Sequence, residues 1–432
     1  MAAWLRGPEY DEAYSIFLTA GHARPAWPEG VFTAGSVRWL YDGHAGFLEI
    51  ARALRQGDVH PPLYFWALEL WRRMAGPGWF SARLLSVIFT LAGLYGLGRI
   101  ARLCRLPAGP VLAMALLSYG FAYTGILARP YALAQALDIG GVLLALRAAD
   151  GPARLALAAG LLFGAAALTD YLALFTGAAM LSWLGWRAWR KAALALVAMA
   201  PFLAVCGWFL RAQYGARAGQ FAPFNWGTAL AGLARDGGGA VFGGLPLYAG
   251  LAMKPVACLL LALFLACLFH AVKSGRGRGF LLLGAATPLG LLALGGVFHN
   301  TPIEIRYLAL SLPWLALAVA PALPRRLLAL LLAVQALAVA GLMLAPATMQ
   351  PQGRAARLAA AWPRAVVALP YGNDGVGVPG PFIAAAPGDM RILLLRPGVA
   401  VPAGAVRVNI GADAQSRAVA ARLGCARLVC GP

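Results

Sequence analysis

About ten apolar runs, each of roughly 16 to 22 residues, leave this chain few ways to fold. They lie near 80–98, 109–127, 131–147, 153–168, 171–186, 191–210, 250–271, 280–297, 307–322 and 327–345. A helix needs about 20 apolar residues to cross a bilayer. In hydrocarbon the backbone has no water to bond, so such runs must form helices. Of the 432 residues, 61% are hydrophobic and 12% charged, half the charge of about 25% that soluble domains carry. The chain reads as an all-α polytopic membrane protein with about ten visible transmembrane helices. The pair 153–168 and 171–186 is short and rich in Ala and Gly, which blurs its division into two helices.

The formal net charge of +20 does not indicate nucleic acid. The basic residues form short clusters between apolar runs: Arg99, Arg102 and Arg105; Arg147 and Arg154; Arg187, Arg190 and Lys191; Lys273, Arg276 and Arg278; Arg325 and Arg326. Lys and Arg at alternate turns mark a cytoplasmic face. Membrane lipids, or a lipid phosphate, are the expected anionic partners. The opposite, periplasmic (extracytoplasmic) face then carries residues 8–61, Arg129-Pro130, Thr169-Asp170, the loop 211–249, His299 to Arg306, and the tail. That alternation closes only if the short helix after Pro61-Pro62, with Glu69, Arg72 and Arg73, does not cross. Ser36 to Gln56 has the spacing of amphipathic helices lying on a membrane surface.

The chain divides into a membrane part, 1–345, and a tail, 346–432. Strand-like runs at Val366–Leu369, Ile392–Leu395, Val406–Ile410 and Leu428-Val429 alternate with helical stretches at 353–361 and 413–423. A small periplasmic α/β domain fits, read as a packing or acceptor-docking appendage. The six cysteines show no metal spacing. Cys206, Cys258 and Cys267 lie in apolar runs, while Cys425 and Cys430 have the chance to pair if the tail faces an oxidising compartment.

Chemistry in such a chain belongs where it meets water. The long polar segment 8–61 holds Asp11, Glu12, Asp58 and His60. Asp11-Glu12 alone reads equally as solvated acids at a helix start. With Asp58 and His60 in the same segment, the set suits group transfer: one carboxylate takes the acceptor's proton, and a second carboxylate or the histidine orients or protonates. Asp58 and His60 also have the chemistry to hold a divalent metal, although their spacing is not a closed site. On the same face Arg129-Pro130-Tyr131 and Arg306-Tyr307 each open an apolar run. They are either interfacial anchors or a pair of guanidinium groups gripping a lipid phosphate. The glycine-rich stretch 211–249, with Gln213, Tyr214, Arg217, Asn225, Trp226, Arg235 and Asp236, reads as a flexible lid over such a site.

Asp11-Glu12, then Asp58-Val-His60-Pro-Pro-Leu-Tyr64, Ala128-Arg-Pro-Tyr-Ala-Leu133, Thr169-Asp-Tyr171 and Ile305-Arg-Tyr-Leu308, in this order, resemble the GT-C membrane glycosyltransferases. The likeness points in particular to the dolichyl-phosphate-mannose protein mannosyltransferases and their bacterial lipid A aminoarabinose transferase relatives, and it spans about residues 9–345. It implies an inverting transfer of a sugar from a polyprenyl-phosphate donor to a periplasmic glycan, lipid or protein acceptor. By resemblance Asp11 is the catalytic base, with Glu12 beside it. His60 sits at the floor of the cavity, and Arg129 lies near the donor phosphate, with Tyr131, Arg306 and Tyr307 extending that role. No cofactor is required, and a divalent metal is possible. The family carries a transmembrane helix before its Asp-Glu pair. Here about ten residues precede Asp11, so the catalytic segment is expected to be weakly anchored. The competing readings are a polytopic lipid or sugar transporter (a flippase) and a non-catalytic assembly subunit of the same fold.

Overall fold

The computed structural model describes residues 2–215, 222–344, 351–411 and 413–432; Arg217 of the expected lid lies outside them. Six helices are long and apolar enough to cross a membrane: Trp79–Leu103, Tyr131–Asp150, Ala173–Gln213, Gly250–Ser274, Arg278–Phe298 and Arg325–Leu344. Three shorter apolar helices are Ala108–Leu117, Ala153–Ala167 and Ile305–Val319. The expected runs 171–186 and 191–210 form one 41-residue helix, interrupted at Ala188 where the backbone leaves helical geometry. The run 109–127 is broken at Ser118, which caps one helix and opens the next.

The chain forms two compact units. One comprises Leu54–Tyr64 and Ser86–Leu342; the other comprises Met1–Ala53, Phe65–Leu85 and Met343–Pro432. The expected division near 345/346 therefore holds at the tail, but most of the amino-terminal segment belongs with the tail rather than with the membrane helices.

In the membrane unit, small residues let helices approach closely, the main route to helix association where lipid removes the hydrophobic drive. Gly160 and Gly164 face the Ala173–Gln213 helix. A Cβ on Gly160 would lie 2.0 Å from the Ala195 carbonyl oxygen, and one on Gly164 would lie 2.6 Å from the Phe202 ring. This Ala/Gly-rich pair is thus two packed helices. Polar side chains add a few directed contacts: Gln135 Nε2 donates to the Ala309 carbonyl at 3.1 Å, and Gln335 Nε2 to Ser118 Oγ at 3.0 Å. Lys191 Nζ donates to the carbonyls of Ala148, Ala149 and Gly151 at 2.8–3.0 Å. It satisfies the orphan acceptors at the end of the Tyr131–Asp150 helix.

The other unit is built on a five-stranded sheet. β1 (Val31–Thr33), β2 (Val366–Pro370), β3 (Arg391–Leu395), β4 (Val406–Val408) and β5 (Val429–Cys430) lie in the order β1-β3-β2-β4-β5. β3, β2 and β4 are parallel, and the edges β1 and β5 are antiparallel. The tail strands fall where alternation placed them. β1 comes from more than 330 residues upstream, and its pairing of Val31 with Leu393 and Thr33 with Arg391 draws the amino-terminal segment into this unit. Cys425 and Cys430 form a disulfide beside the sheet's small core of Ala368, Leu393, Leu395, Ala405 and Leu423.

The Gly160 contact yields a direct test of helix packing. Gly160→Ala should lower the thermal midpoint in detergent, because overpacking typically costs about 1–3 kcal/mol. Gly207→Ala, in the same long helix with nothing within 4 Å of its added Cβ, should leave the midpoint unchanged or raise it.

Candidate functional site

Asp11 lies in the first turn of the Tyr10–Thr19 helix, with Glu12 beside it. Acidic residues in a first turn are favoured by the partial positive charge of the helix amino terminus. The structure divides the pair. Asp11 is half-buried, whereas Glu12 is fully buried. Arg83 Nε donates to Glu12 Oε1 at 2.8 Å, and its Nη2 pairs with Glu12 Oε2. The rest of the Arg83 guanidinium donates to the carbonyls of Ala3 (3.1 Å), Arg6 (2.7 Å) and Gly7 (2.7 Å). Glu12 thus anchors the helix through a charge-assisted pair, a role distinct from the one expected of it.

The far end of the same helix is held by Arg72, 1% exposed. It donates to Thr19 Oγ1 at 2.6 Å, to the Ile16 carbonyl at 3.3 Å and to the Tyr41 carbonyl at 2.5 Å. Both arginines come from the stretch 65–85. The Asp11 segment is therefore firmly fastened, contrary to the expectation of weak anchoring. Side-chain contacts made by buried cations hold it at both ends.

In the membrane unit, Asp58 Oδ1 accepts from the Val59 amide at 2.6 Å. His60 is 5% exposed. Its carbonyl accepts from Gln213 Nε2 at 3.0 Å, and the same amide nitrogen reaches the Leu54 carbonyl at 3.1 Å. Tyr171 hydroxyl donates to Gln213 Oε1 at 2.8 Å, and the Leu63 amide donates to the Leu168 carbonyl at 3.1 Å. Gln213, expected in a flexible lid, instead ties down the His60 segment. The rest of that stretch also departs from a loop. Trp226–Phe242 is a helix capped by Asn225 Oδ1, which accepts from the amides of Gly227 and Thr228. Ala229, Ala240, Val241 and Phe242 are buried.

The His60 ring meets Tyr131 edge-on at a centroid distance of 6.4 Å, and Tyr131 lies 6.5 Å from Tyr307. Arg306 sits over Tyr307 at 5.3 Å and pairs with Glu304 at 2.5 Å. Arg129 is buried, 2% exposed. Both arginines act electrostatically on Asp170 in the turn before the Ala173–Gln213 helix. Burial raises the Asp170 carboxyl to about 6; the Leu172 amide at 2.9 Å, Arg129 and Arg306 pull the other way. The structure therefore gathers His60, Arg129, Tyr131, Arg306 and Tyr307, and adds two carboxylates that sequence reasoning gave no role. Asp170 was legible in Thr-Asp-Tyr and Glu304 in Ile-Glu-Ile-Arg, but only folding reveals their charge partners.

The arrangement offers positive charge tempered by carboxylates, aromatic faces and a buried imidazole. Such a set suits a negatively charged oxygen ligand. Among the described residues, no three or more His, Cys, Asp or Glu side chains converge as a metal site.

No protein-family model matches the sequence, and no curated protein matches it. The crystal structure of ArnT from Cupriavidus metallidurans in the apo state aligns with a TM-score of 0.51 at 14% identity, over 91% of this chain and 82% of that one. A structure of ArnT from the same organism bound to undecaprenyl phosphate aligns with a TM-score of 0.47 at 14% identity, over 78% and 76% of the two chains. The chain is an integral membrane protein with the GT-C fold of the membrane glycosyltransferases.

Proposed function

We propose that this protein is an inverting glycosyltransferase that moves a sugar from a polyprenyl-phosphate donor to a glycan, lipid or protein acceptor on the periplasmic side. One observation carries the reading. Arg129 and Arg306, both beside apolar helices, act on a common carboxylate in the unit that also holds His60, Tyr131 and Tyr307. The order of the motifs and the GT-C fold support it. The Cys425–Cys430 disulfide supports an oxidising compartment for the tail.

In this mechanism an acceptor oxygen or nitrogen attacks the anomeric carbon from the face opposite the phosphate. The bond from that carbon to the phosphate oxygen breaks, and its electron pair leaves with the polyprenyl phosphate. Asp11 takes the acceptor's proton as the new bond forms. Arg129 and Arg306 stabilise the charge that develops on the departing phosphate. Removing only the base should leave donor binding intact. Asp11→Asn should cut transfer from a radiolabelled polyprenyl-phosphate sugar in proteoliposomes by about 10²- to 10⁴-fold, with membrane insertion and donor binding preserved. Full activity in that variant would refute the assignment of Asp11.

Asp170 supplies a pH test. Its folded-state pKa of about 6 lies above the ordinary carboxyl value of 3.8. The folded chain therefore binds the extra proton between those values, and Asp170 lowers stability as pH rises from about 4 to 6. Above about 6 it also places a negative charge beside the two arginines. A polyprenyl-phosphate sugar is a phosphodiester and keeps one negative charge throughout this range. Its affinity should weaken several-fold as pH rises through 6. Asp170→Asn should flatten that profile, as measured by binding titrations from pH 5 to 8.

Asp138 favours a second reading, a lipid or sugar transporter. It is buried within the Tyr131–Asp150 helix, and neither carboxyl oxygen has a hydrogen-bond partner among the described residues. Acids inside membrane helices often serve transport. Under the transferase reading, Asp138→Asn should retain sugar transfer. Movement of labelled lipid across the bilayer that requires Asp138, without sugar transfer, would favour the transporter.

A further inference from the structure

The parallel strands of the sheet reverse their order at β2. The chain passes from β2 to β3 on one side, then crosses to β4 on the other. Open α/β sheets bind ligands in the crevice outside the carboxyl ends of strands at such a switch point. Here those ends are Pro370 of β2 and Val408 of β4. The loop after β2 contains Gly375, Gly377 and Gly380, with the spacing G-x-G-x-x-G, and leads into the helix Pro379–Ala385. In nucleotide-binding sheets that spacing admits a phosphate to the backbone.

In this protein the space over the glycines is already taken. A Cβ on Gly377 would lie 2.2 Å from the Tyr10 ring. One on Gly380 would lie 2.8 Å from the Phe17 ring and 3.0 Å from the Ala13 side chain. Tyr10, Ala13 and Phe17 all belong to the helix that carries Asp11. The glycines therefore admit that helix, not a cofactor. Polar contacts fix its register on the loop. Tyr14 hydroxyl donates to Asp374 Oδ1 at 3.2 Å, and the same oxygen accepts from the Val376 amide at 3.0 Å. Arg24 pairs with Asp374 Oδ2 at 3.3 Å. Trp27 Nε1 donates to the Gly375 carbonyl at 2.6 Å, and Tyr41 hydroxyl donates to the Gly380 carbonyl at 2.8 Å. Tyr10 and Tyr14 lie one turn apart on the helix, with ring centroids 5.7 Å apart, and Asp11 sits between them in sequence.

We propose that the tail's glycine-rich loop Gly375–Gly380 and Asp374 set the pose of the Asp11 helix, so that the α/β part of the chain positions the base rather than serving as an appendage. Asp374, Tyr14 and Gly377 are positioning residues, acting on the reaction through the helix they hold. The inference rests on the reading of Asp11 as base in a sugar transfer. A displacement of about 1 Å in a catalytic group can cost about 10²-fold in rate, so a loosened seat should register in turnover.

The test compares kcat for transfer with donor affinity in full-length protein reconstituted in proteoliposomes, using a polyprenyl-phosphate sugar as probe. Asp374→Ala and Tyr14→Phe should each lower kcat about tenfold or more and leave donor affinity within about twofold. Asp374→Asn, which keeps an acceptor for the Tyr14 hydroxyl, should recover most of that loss. Gly377→Ala should lower kcat similarly, and Tyr10→Ala in the same chain, which removes the ring that the new methyl meets, should restore part of it. Wild-type kcat in Asp374→Ala, Tyr14→Phe and Gly377→Ala would overturn the proposal while leaving the transferase reading intact. A parallel fall in kcat and donor affinity, without recovery in Asp374→Asn, would overturn it as well, since that is the pattern of a general folding defect. A wild-type chain that transfers no sugar would instead remove the transferase reading, and this inference with it.

Discussion

A guanidinium taken out of water is tolerated only if its charge and its donors are all answered. Arg83 meets that condition through Glu12 and the three carbonyls of Ala3, Arg6 and Gly7. Removing one partner of a buried pair typically costs about 3–5 kcal/mol, because the other charge is left stranded. The pose of the Tyr10–Thr19 helix, and so of Asp11, depends on this contact at one end and on Arg72 at the other. A helix of 10 residues is too short to be stable on its own propensity. It persists because side chains from the 65–85 stretch and from the tail hold it.

The membrane unit solves a related problem with opposite means. Its helices associate through small residues, as at Gly160 and Gly164, so little polar surface is needed to hold them together. The charged groups it does bury are therefore concentrated in one cluster. Arg129 and Arg306 bear on Asp170, and Arg306 is paired with Glu304. A carboxylate beside an arginine lowers the cost of burial. It also tempers the pull on an incoming phosphate, and so couples that pull to pH.

Much of the helical scaffold was legible because the apolar runs permit no other backbone in lipid. The tail strands were legible for a similar reason: alternation of apolar residues between turns fixes strands of four or five residues. Trp226–Phe242 was not. Three consecutive glycines, Gly237 to Gly239, argue against helix, yet a cap at Asn225 and burial of Ala240, Val241 and Phe242 override the local preference. β1 was also hidden. A strand of three residues carries almost no periodic signal, and its partner lies more than 330 residues away.

The sequence by itself determined that this is a membrane-spanning helical protein with an α/β tail. It also put the residues of the candidate site on the page: Asp11, Glu12, Asp58, His60, Arg129, Tyr131, Arg306 and Tyr307. Those conclusions rest on short-range facts, namely run length, alternation and the order of motifs along the chain. Only the tertiary structure decided what each acid does. Glu12 became an anchor because Arg83, 71 residues away, folds against it. Asp170 acquired its raised pKa from burial and two distant arginines. The tail's glycines became a seat for the Asp11 helix. Charge pairing and close packing act through space, and their partners are set by the fold rather than by proximity in the chain.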